Sequence, residues 1–445
     1  MVIESLKYKI LQQFGFAPTQ EQGQALDTFV SFLTDRDPQA VMILRGSAGT
    51  GKTSLSGAIV RTLLQIRQKV MLLAPTGRAA KVFSLGSGAP AYTIHRRIYR
   101  EKAFAGVDGQ FSLNDNLYTD TLFMVDEASM IANMGLGGTT FGSGCLLDDL
   151  VKFVYQGHND RLLLIGDKAQ LPPVGEEESP ALSASVMEGY GLKVYECDLN
   201  EVLRQSQSSG ILYNATLIRQ MITHDAVTGL PLIRFKGFAD IVMMPGAELV
   251  ESLGDSYHHV GMDETMVITR SNKRANIYNN GIRNMVLDRE EELSSGDMLM
   301  IVKNNYFWTE KETKESGEGS AGAVPAFLAN GDRAKVLRVS NYIELYGFRF
   351  ATLLLQLPDY DDYEMQVTGM LDTLQSEAPA LTHEQQEELF RQVEEDYQHF
   401  VPLKADRMKS IRQDAYFNAL QIKYAYAVTC HKAQGGQWAH VYVDQ

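Results

Sequence analysis

Four residues near the start of the chain have the types and spacing of a phosphate-binding loop. Gly46, Gly51, Lys52 and Thr53 fit the pattern G-x-x-x-x-G-K-[ST]. Glycines let backbone N–H groups surround a phosphate, and a helix that starts at the lysine adds partial positive charge. The lysine of this pattern reaches the β- and γ-phosphates, and the threonine binds Mg²⁺. A glycine-rich turn with a chance lysine is the alternative. We predict an ATP site at Gly46, Gly49, Gly51, Lys52, Thr53 and Ser54.

Two adjacent acids follow the apolar run TLFMV at residues 121–125. We predict that Asp126 holds Mg²⁺, directly or through water, and that Glu127 polarises the attacking water. Acids also favour the first turn of a helix, so a plain helix start is the alternative. With a phosphate-binding loop upstream, the hydrolytic interpretation is favoured, and the chain is predicted to be a nucleoside triphosphatase.

A third polar group is the stretch GDKAQLPPVG at residues 166–175, directly after the apolar run RLLLI. It places Asp167 and the amide of Gln170 at the end of a predicted strand. Pro172 and Pro173 lack backbone N–H groups and fix φ, so the chain that leaves this strand is stiff. A tight turn without further function is the alternative.

The elements that must position these groups form a repeated pattern in the first half of the chain. Apolar runs end in small or polar residues at 40–54, 69–81, 121–129 and 161–170. Near-continuous apolar strands that alternate with helical stretches indicate a parallel sheet covered on both faces. Ligands of such sheets bind beyond the carboxyl ends of the strands. We therefore expect all four polar groups to converge on one edge.

Composition limits the classes that remain. A chain of 445 residues with 44% hydrophobic residues is long enough for two large domains. It has no apolar run of membrane-spanning length. Cys145, Cys197 and Cys430 are widely spaced without metal-site spacing, which favours reduced thiols in the cytoplasm. The net charge of −14 argues against nucleic-acid binding over the whole surface. The acidic residues are concentrated at 357–366 and 383–397, so a basic groove elsewhere on the surface is compatible with this net charge.

The remaining motifs form an ordered series that resembles a known family. TQEQ (19–22) precedes the phosphate-binding loop. The motifs that follow the loop in order are APTGRAA (74–80), TIH (93–95), DEAS (126–129), GDKAQLPPVG (166–175), LRQ (203–205) and VTCHKAQGGQW (428–438). Together these motifs resemble those of the superfamily 1 DNA helicases, and most of all the RecD and Dda group with the related Pif family. The resemblance extends over nearly the whole chain, and GDKAQLPPVG and HKAQGGQW are its most specific motifs.

The resemblance implies an α/β fold with two RecA-like P-loop cores built on parallel sheets, with ATP between them and single-stranded DNA across their tops. The first core is expected at 1–205, with a small hairpin insertion at about 84–120. The second is expected at 206–445, with an insertion at about 296–420 that contains an SH3-like β-barrel and an acidic helix. The polar stretch 204–210 suits a hinge, and 421–436 is expected to resume the second core.

The resemblance also implies roles for individual residues. Gln170 is expected near the γ-phosphate, Gln22 at the adenine edge, and Arg204 within reach of the phosphates as a catalytic residue alongside Lys52 and Glu127. The positions that match DNA contacts are Thr76, Arg78, Thr93, His95, Thr429 and His431. Thr93 is equally suited to capping a helix, and a lone histidine such as His95 is more often structural.

Two aromatic residues flank the turn-rich stretch 105–110 in the first insertion, where the family carries the wedge that parts the duplex. Phe104 and Phe111 are the candidates for that wedge. Ordinary packing of a hairpin is the alternative, and the sequence favours neither.

The favoured function is an ATP-dependent DNA helicase that moves 5′ to 3′, with Mg²⁺, single-stranded DNA and forked duplex as ligands and no membrane association. Replication or repair proteins are expected partners that the sequence does not identify, in a bacterial or phage-type cytoplasmic protein. A DNA-stimulated translocase that remodels nucleoprotein, and a single-strand-binding module with weak ATPase activity, are the alternatives. A nuclease has little support, because the sequence shows no second cluster of acidic metal ligands in order.

The last residues depart from the family pattern. After 428–438 the family continues through a strand to a further motif whose arginine points at the γ-phosphate. Here the sequence ends at HVYVDQ, in a predicted buried strand. We therefore expect a C-terminal piece of the second core to be missing from this sequence.

Overall fold

The computed structural model describes residues 2–47, 49–103, 110–134, 142–201, 209–223, 229–316, 325 and 327–444. The chain forms two compact units. The first unit comprises Met1–Pro75, Ala79–Lys102 and Gln110–Met243, and the second comprises Thr76–Arg78, Ala103–Gly109 and Met244–Gln445. Phe104 and Arg204 lie outside the described residues. The division into motor cores at residue 205 stays a prediction.

A six-stranded parallel sheet forms the centre of the first unit. Its strands follow the order β3-β2-β6-β7-β1-β8, and β4 and β5 form a separate two-stranded sheet. The strands are β1 Ala40–Gly46, β2 Lys69–Ala74, β3 Ala91–Thr93, β4 Tyr99–Ala103, β5 Gln110–Leu113, β6 Thr121–Val125, β7 Arg161–Gly166 and β8 Lys193–Leu199.

Helices cover both faces of this sheet. The helices of the first unit are α1 Val2–Phe14, α2 Gln20–Leu33, α3 Lys52–Gln65, α4 Gly77–Ser87, α5 Ile94–Ile98, α6 Leu146–Gln156, α7 Ala184–Gly189 and α8 Gly210–Thr223. Because side chains of a strand alternate between faces, Met42 and Leu44 of β1 pack with Phe29 of α2. Ile43, between them in sequence, packs with Phe153 of α6 on the opposite face. The predicted parallel sheet covered on both faces is confirmed.

The second unit contains a small parallel sheet and a closed barrel. The sheet has the order β15-β9-β16, and the barrel is formed by β10 to β14. The strands are β9 Thr265–Thr269, β10 Met298–Ile301, β11 Arg333–Leu345, β12 Phe348–Leu357, β13 Tyr363–Met370, β14 Leu420–Tyr424, β15 Ala427–Thr429 and β16 His440–Val443. The helices are α9 Leu249–His259, α10 Asn272–Gly281, α11 Phe307–Ser316, α12 His383–Gln398, α13 Lys404–Arg412 and α14 Cys430–Ala433.

The barrel lies in the chain between β9 and β15, so the predicted barrel insertion is confirmed. The acidic stretch 383–397 lies in α12, which begins at a capping box of Thr382 and Gln385. The run 420–429 is divided between two sheets. Leu299 of β10 pairs with Tyr424, which closes the barrel, whereas Val428 pairs with Ile268 of the parallel sheet.

The expectation of a buried last strand is wrong for His440, Val441 and Val443 of β16, whereas Tyr442 packs against the core of the second unit. The strand pairs in parallel with β9, as Val441 with Met266, but Val441 and Val443 are 45% and 65% exposed. Backbone pairing covers one edge of a strand and leaves its two faces for other elements to bury. Within the described ranges, no helix has the length and apolar character needed to cross a membrane.

Candidate functional site

Three of the four polar groups predicted to converge do so at the carboxyl edge of the first unit's sheet, whereas Thr76–Arg78 of the fourth group belong to the second unit. Arg45 near the end of β1 pairs with Gly166 at the end of β7, and Val125 at the end of β6 pairs with Leu164 of β7. Each strand therefore releases its following loop at nearly the same level. The charges of Asp167, Glu127 and Asp126 all act on Lys52, which begins α3. These four side chains form one electrostatic cluster.

The loop between β1 and α3 needs glycine at two positions for different reasons. Gly51 has φ +83°, a left-handed conformation, and a Cβ there would lie 2.7 Å from Nε2 of Gln22. A Cβ on Gly46 would lie 2.9 Å from Oγ1 of Thr50. Thr53 and Ser54, in the first turn of α3 directly after the loop, are exposed. The N-terminus of a helix favours anions such as phosphate.

Lys52 lies within the curve of this loop. Its Nζ donates to the carbonyl oxygens of Gly46 at 2.6 Å and Ser47 at 2.9 Å. Burial lowers the pKa of Lys52, while the three neighbouring acids oppose that effect. The hydroxyl of Ser47 is buried without a hydrogen-bond partner among the described residues. An ammonium and an unsatisfied hydroxyl in one loop fit a phosphate ligand.

The two acids after β6 are held in a strained and poorly solvated turn. Glu127 has φ +54°, which is uncommon outside glycine and found disproportionately at functional sites. Its N–H donates to Oδ1 of Asp126 at 2.9 Å. Burial, followed by the charge of Asp126, raises the pKa of Glu127 to about 7, and burial also raises the pKa of Asp126. A cation beside this pair would favour its ionised form.

A magnesium ion fits the donors present. The described residues contain no cluster of three or more His, Cys, Asp or Glu side chains arranged to hold a metal. Mg²⁺ usually takes one or two protein oxygens and completes its shell with water and substrate phosphates. Asp126 and the exposed hydroxyl of Thr53, at the start of α3, are donors of that kind. The roles of both residues as ligands stay predictions.

Gln170 contacts Glu127. A hydrogen bond between the two side chains contributes to lowering the pKa of Glu127 against the larger effect of burial. The Oε1 atom of Gln170 accepts from Oγ of Ser129 at 3.0 Å. A tight turn precedes this contact, since the N–H of Gln170 donates to the carbonyl of Asp167. The stretch 166–175 therefore forms a tight turn, as the alternative interpretation predicts. The same turn also holds the amide of Gln170 against Glu127, the candidate base.

Gln22 braces the phosphate-binding loop. Its Nε2 donates to the carbonyl of Thr50 at 2.9 Å, and its Oε1 accepts the N–H of Thr19 at 3.0 Å within a capping box of α2. The side chain is buried. These bonds use one N–H and one oxygen lone pair of the Gln22 amide. Its second N–H and second lone pair would have to contact the adenine edge, so that role stays a prediction.

Two residues outside the predicted set of site residues join the site. Ser129 is the last residue of the DEAS motif, and its position within a motif was the available signal. Arg219 on α8 donates from Nη2 to Oδ2 of Asp167 at 2.5 Å. No motif contains Arg219, and only the packing of α8 brings it to the carboxyl edge of the sheet.

Three candidate DNA contacts in the first unit are engaged in local structure. Thr93 is buried and caps α5 by accepting the N–H of Arg96 at 3.3 Å. The ring of His95 lies 5.8 Å from that of Tyr99, and burial lowers the pKa of His95 to about 4. Phe111 packs against the hydrophobic core of the first unit. Thr93 therefore caps a helix, and the rings of His95 and Phe111 pack locally, as the alternatives predict. DNA contact stays a prediction for all three residues.

Four further candidates fall in the second unit. Thr76 and Arg78 belong to it, and the guanidinium carbon of Arg78 lies 4.7 Å from the ring centre of Trp438. Thr429 precedes α14 without a side-chain capping bond, and His431 is exposed on that helix. This unit thus contains a cation, a stacked aromatic ring and an exposed imidazole from two motifs.

Residues 17–229 match the family model described as AAA domain. The Bacteroides Pif1 helicase structure in complex with ADP-AlF3 and ssDNA has a TM-score of 0.46 at 12% identity, over 96% of this chain and 86% of that one.

Two curated relatives are named as DNA helicases. ATP-dependent RecD2 DNA helicase of Deinococcus radiodurans is 30% identical over 157 residues, which is 35% of this chain and 18% of that protein. ATP-dependent DNA helicase dda of Enterobacteria phage T4 is 25% identical over 267 residues, 58% of this chain and 55% of that protein. The chain thus spans less than two thirds of the length of either relative. Like the motif series, these matches make the chain similar to the RecD and Dda helicases.

Proposed function

We propose that this protein is an ATP-dependent DNA helicase that moves 5′ to 3′ on single-stranded DNA and unwinds duplex. The observation that carries the ATPase part is the cluster of Lys52, Asp126, Glu127 and Asp167 at one edge of the parallel sheet. The DNA-dependent part is supported by the similarity to the RecD2 and Dda helicases.

Three residues of the cluster, with Thr53 and Gln170 beside them, have definite chemical tasks in the proposed hydrolysis. Lys52 supplies positive charge to the β- and γ-phosphates from inside the loop. Asp126 and Thr53 would hold Mg²⁺, which supplies charge neutralisation at the phosphate oxygens when bound. Glu127 accepts a proton from the attacking water at its carboxylate. Gln170 orients that carboxylate through their hydrogen bond, and is thereby placed to couple a change at the γ-phosphate to the stiff segment Pro172–Pro173.

The direction of movement is tested with forked duplexes that carry either a 5′ or a 3′ single-stranded tail. We expect ATP-dependent strand separation with the 5′ tail and at most weak separation with the 3′ tail. DNA should also stimulate ATP hydrolysis. Preference for the 3′ tail would contradict the RecD-like polarity while leaving the ATPase proposal intact.

A translocase that does not separate strands is the second candidate, and one observation favours it. Phe111, a candidate wedge residue, packs on the core of the first unit. The same forks distinguish the two functions. ATP-dependent displacement of a bound protein from single-stranded DNA, without loss of the duplex, would support the translocase.

DNA affinity is expected to depend on salt through Arg78 and not through His95. Arg78→Ala should reduce the slope of log affinity against log salt by about 0.7, the value for one phosphate of single-stranded DNA. His95→Ala should leave the slope unchanged, because a lowered pKa of about 4 keeps its imidazole neutral at pH 7. Fluorescence anisotropy with a labelled oligonucleotide at several salt concentrations measures both slopes. A reduced slope for His95→Ala would show that the imidazole is charged when DNA is bound.

A further inference from the structure

Arg219 is a cation at the candidate ATP site that belongs to no motif of the series. Its Nη2 donates to Oδ2 of Asp167 at 2.5 Å, and the two side chains are only 19% and 8% exposed. Its charge also lowers the pKa of Lys52, alongside the larger effect of burial. The guanidinium therefore lies within electrostatic reach of the lysine that serves the β- and γ-phosphates.

The carboxylate of Asp167 divides its two oxygens between different tasks. Oδ1 accepts the N–H of Ala169 at 3.0 Å and holds the turn after β7, whereas Oδ2 accepts from Arg219. The turn thus has its own hydrogen bond, separate from the arginine. A poorly solvated ion pair is weak evidence for a stabilising role, because desolvation offsets much of the attraction.

The charges around Lys52 favour a phosphate partner for Arg219. Three acids act on Lys52, namely Asp126, Glu127 and Asp167, and a terminal phosphate at the loop adds further negative charge. A guanidinium presents planar donors that match carboxylate and phosphate oxygens equally well. The guanidinium of Arg219 can therefore leave the carboxylate of Asp167 for a terminal phosphate and stay protonated throughout.

The helix that carries Arg219 has its own anchors. Asp240 accepts from Oγ of Ser209 at 2.6 Å and from the N–H of Gly210 at 2.7 Å, at the start of α8. Nδ2 of Asn214 donates to the carbonyl of Arg234 at 2.9 Å. Since these contacts hold α8 independently of the ion pair, substitution of Arg219 should leave the helix in place.

We infer that Arg219 reads the terminal phosphate of ATP, by exchanging the carboxylate of Asp167 for a γ-phosphate oxygen. The first unit then contains both the loop that binds the β-phosphate and the arginine that distinguishes triphosphate from diphosphate. This inference rests on the proposed ATPase function and adds a residue to its site.

The test compares the affinities of fluorescent ADP and a fluorescent non-hydrolysable ATP analogue, both with Mg²⁺. The proteins are the wild type, Arg219→Ala, Arg219→Lys, and Gln220→Ala as a control at the next, exposed position of α8. Arg219→Ala should reduce the preference for the triphosphate analogue by about tenfold or more, the scale of one charge-assisted hydrogen bond. Its ADP affinity should change by less than about twofold, Arg219→Lys should retain part of the preference, and Gln220→Ala all of it.

The other outcomes are separable. If Arg219→Ala weakens both nucleotides equally, or leaves their ratio unchanged, Arg219 does not read the terminal phosphate and the inference is overturned. A lowered Tm with an equal loss for both nucleotides would assign Arg219 to the positioning of Asp167 instead. If the wild-type protein binds neither nucleotide, the proposed ATPase function itself fails, whatever the variants do.

Discussion

Lys52→Ala is expected to reduce ATP hydrolysis to about one thousandth of the wild-type rate or less. The ammonium of Lys52 is the cation inside the phosphate-binding loop, where it donates to the carbonyls of Gly46 and Ser47. Loss of one preorganised donor to developing charge costs about 10² to 10³ in rate, and here the donor also carries a full charge. Steady-state phosphate release with and without single-stranded DNA measures the loss.

The fold should survive this substitution. Lys52 begins α3, and alanine is well tolerated in a helix, so far-ultraviolet circular dichroism and Tm should remain close to those of the wild type. Lys69→Ala is the matched control. Lys69 begins β2, at the end of the strand opposite the carboxyl edge that carries the site, and it donates to the carbonyl of Thr119. Wild-type turnover by Lys52→Ala, or an equal loss in Lys69→Ala, would contradict the assigned site.

Glu127→Gln is expected to lower kcat by about 10² to 10⁴, the usual contribution of a general base. Glutamine keeps the length of the side chain and suits the left-handed backbone, with φ +54°, as well as glutamate does. It cannot accept a proton from water. ATP affinity should therefore be retained, because binding depends on the loop and Lys52. Rapid-quench single-turnover measurements, together with equilibrium binding of ATP, separate the two effects.

The control for this experiment is Glu178→Gln, which changes the same charge at an exposed position. Turnover of this variant should match that of the wild type. If Glu127→Gln loses ATP affinity along with kcat, the carboxylate supports binding rather than proton transfer. If its kcat is unchanged, the base lies elsewhere in the site.

The sequence was sufficient for the parts of the site that depend on local backbone conformation. Gly46, Gly51 and Lys52 lie within seven consecutive residues between a strand and a helix, so their arrangement follows from the turn itself. Asp126 and Glu127 follow β6 directly, and the parallel strand order brings that strand end to the same edge as the loop. A local pattern and one rule about parallel sheets therefore predict this cluster.

Sequence patterns were weaker where a residue can serve two purposes. Thr93 fits a DNA contact and a helix cap equally well, and the structure shows the capping bond. Phe111 fits a wedge and a packed hairpin, and the structure shows packing. Side-chain type defines what a group can do, whereas its surroundings decide which partner it meets.

The sequence by itself determined the fold class, the phosphate-binding loop and the acids beside it, because each is encoded by neighbouring residues and by hydrophobic periodicity. Only the tertiary structure decided that Arg219 meets Asp167, 52 positions away in the chain. It also decided that Leu420–Tyr424 closes a barrel while Ala427–Thr429 joins another sheet. Such pairings depend on how distant elements pack, and an apolar run offers the same side chains to either sheet.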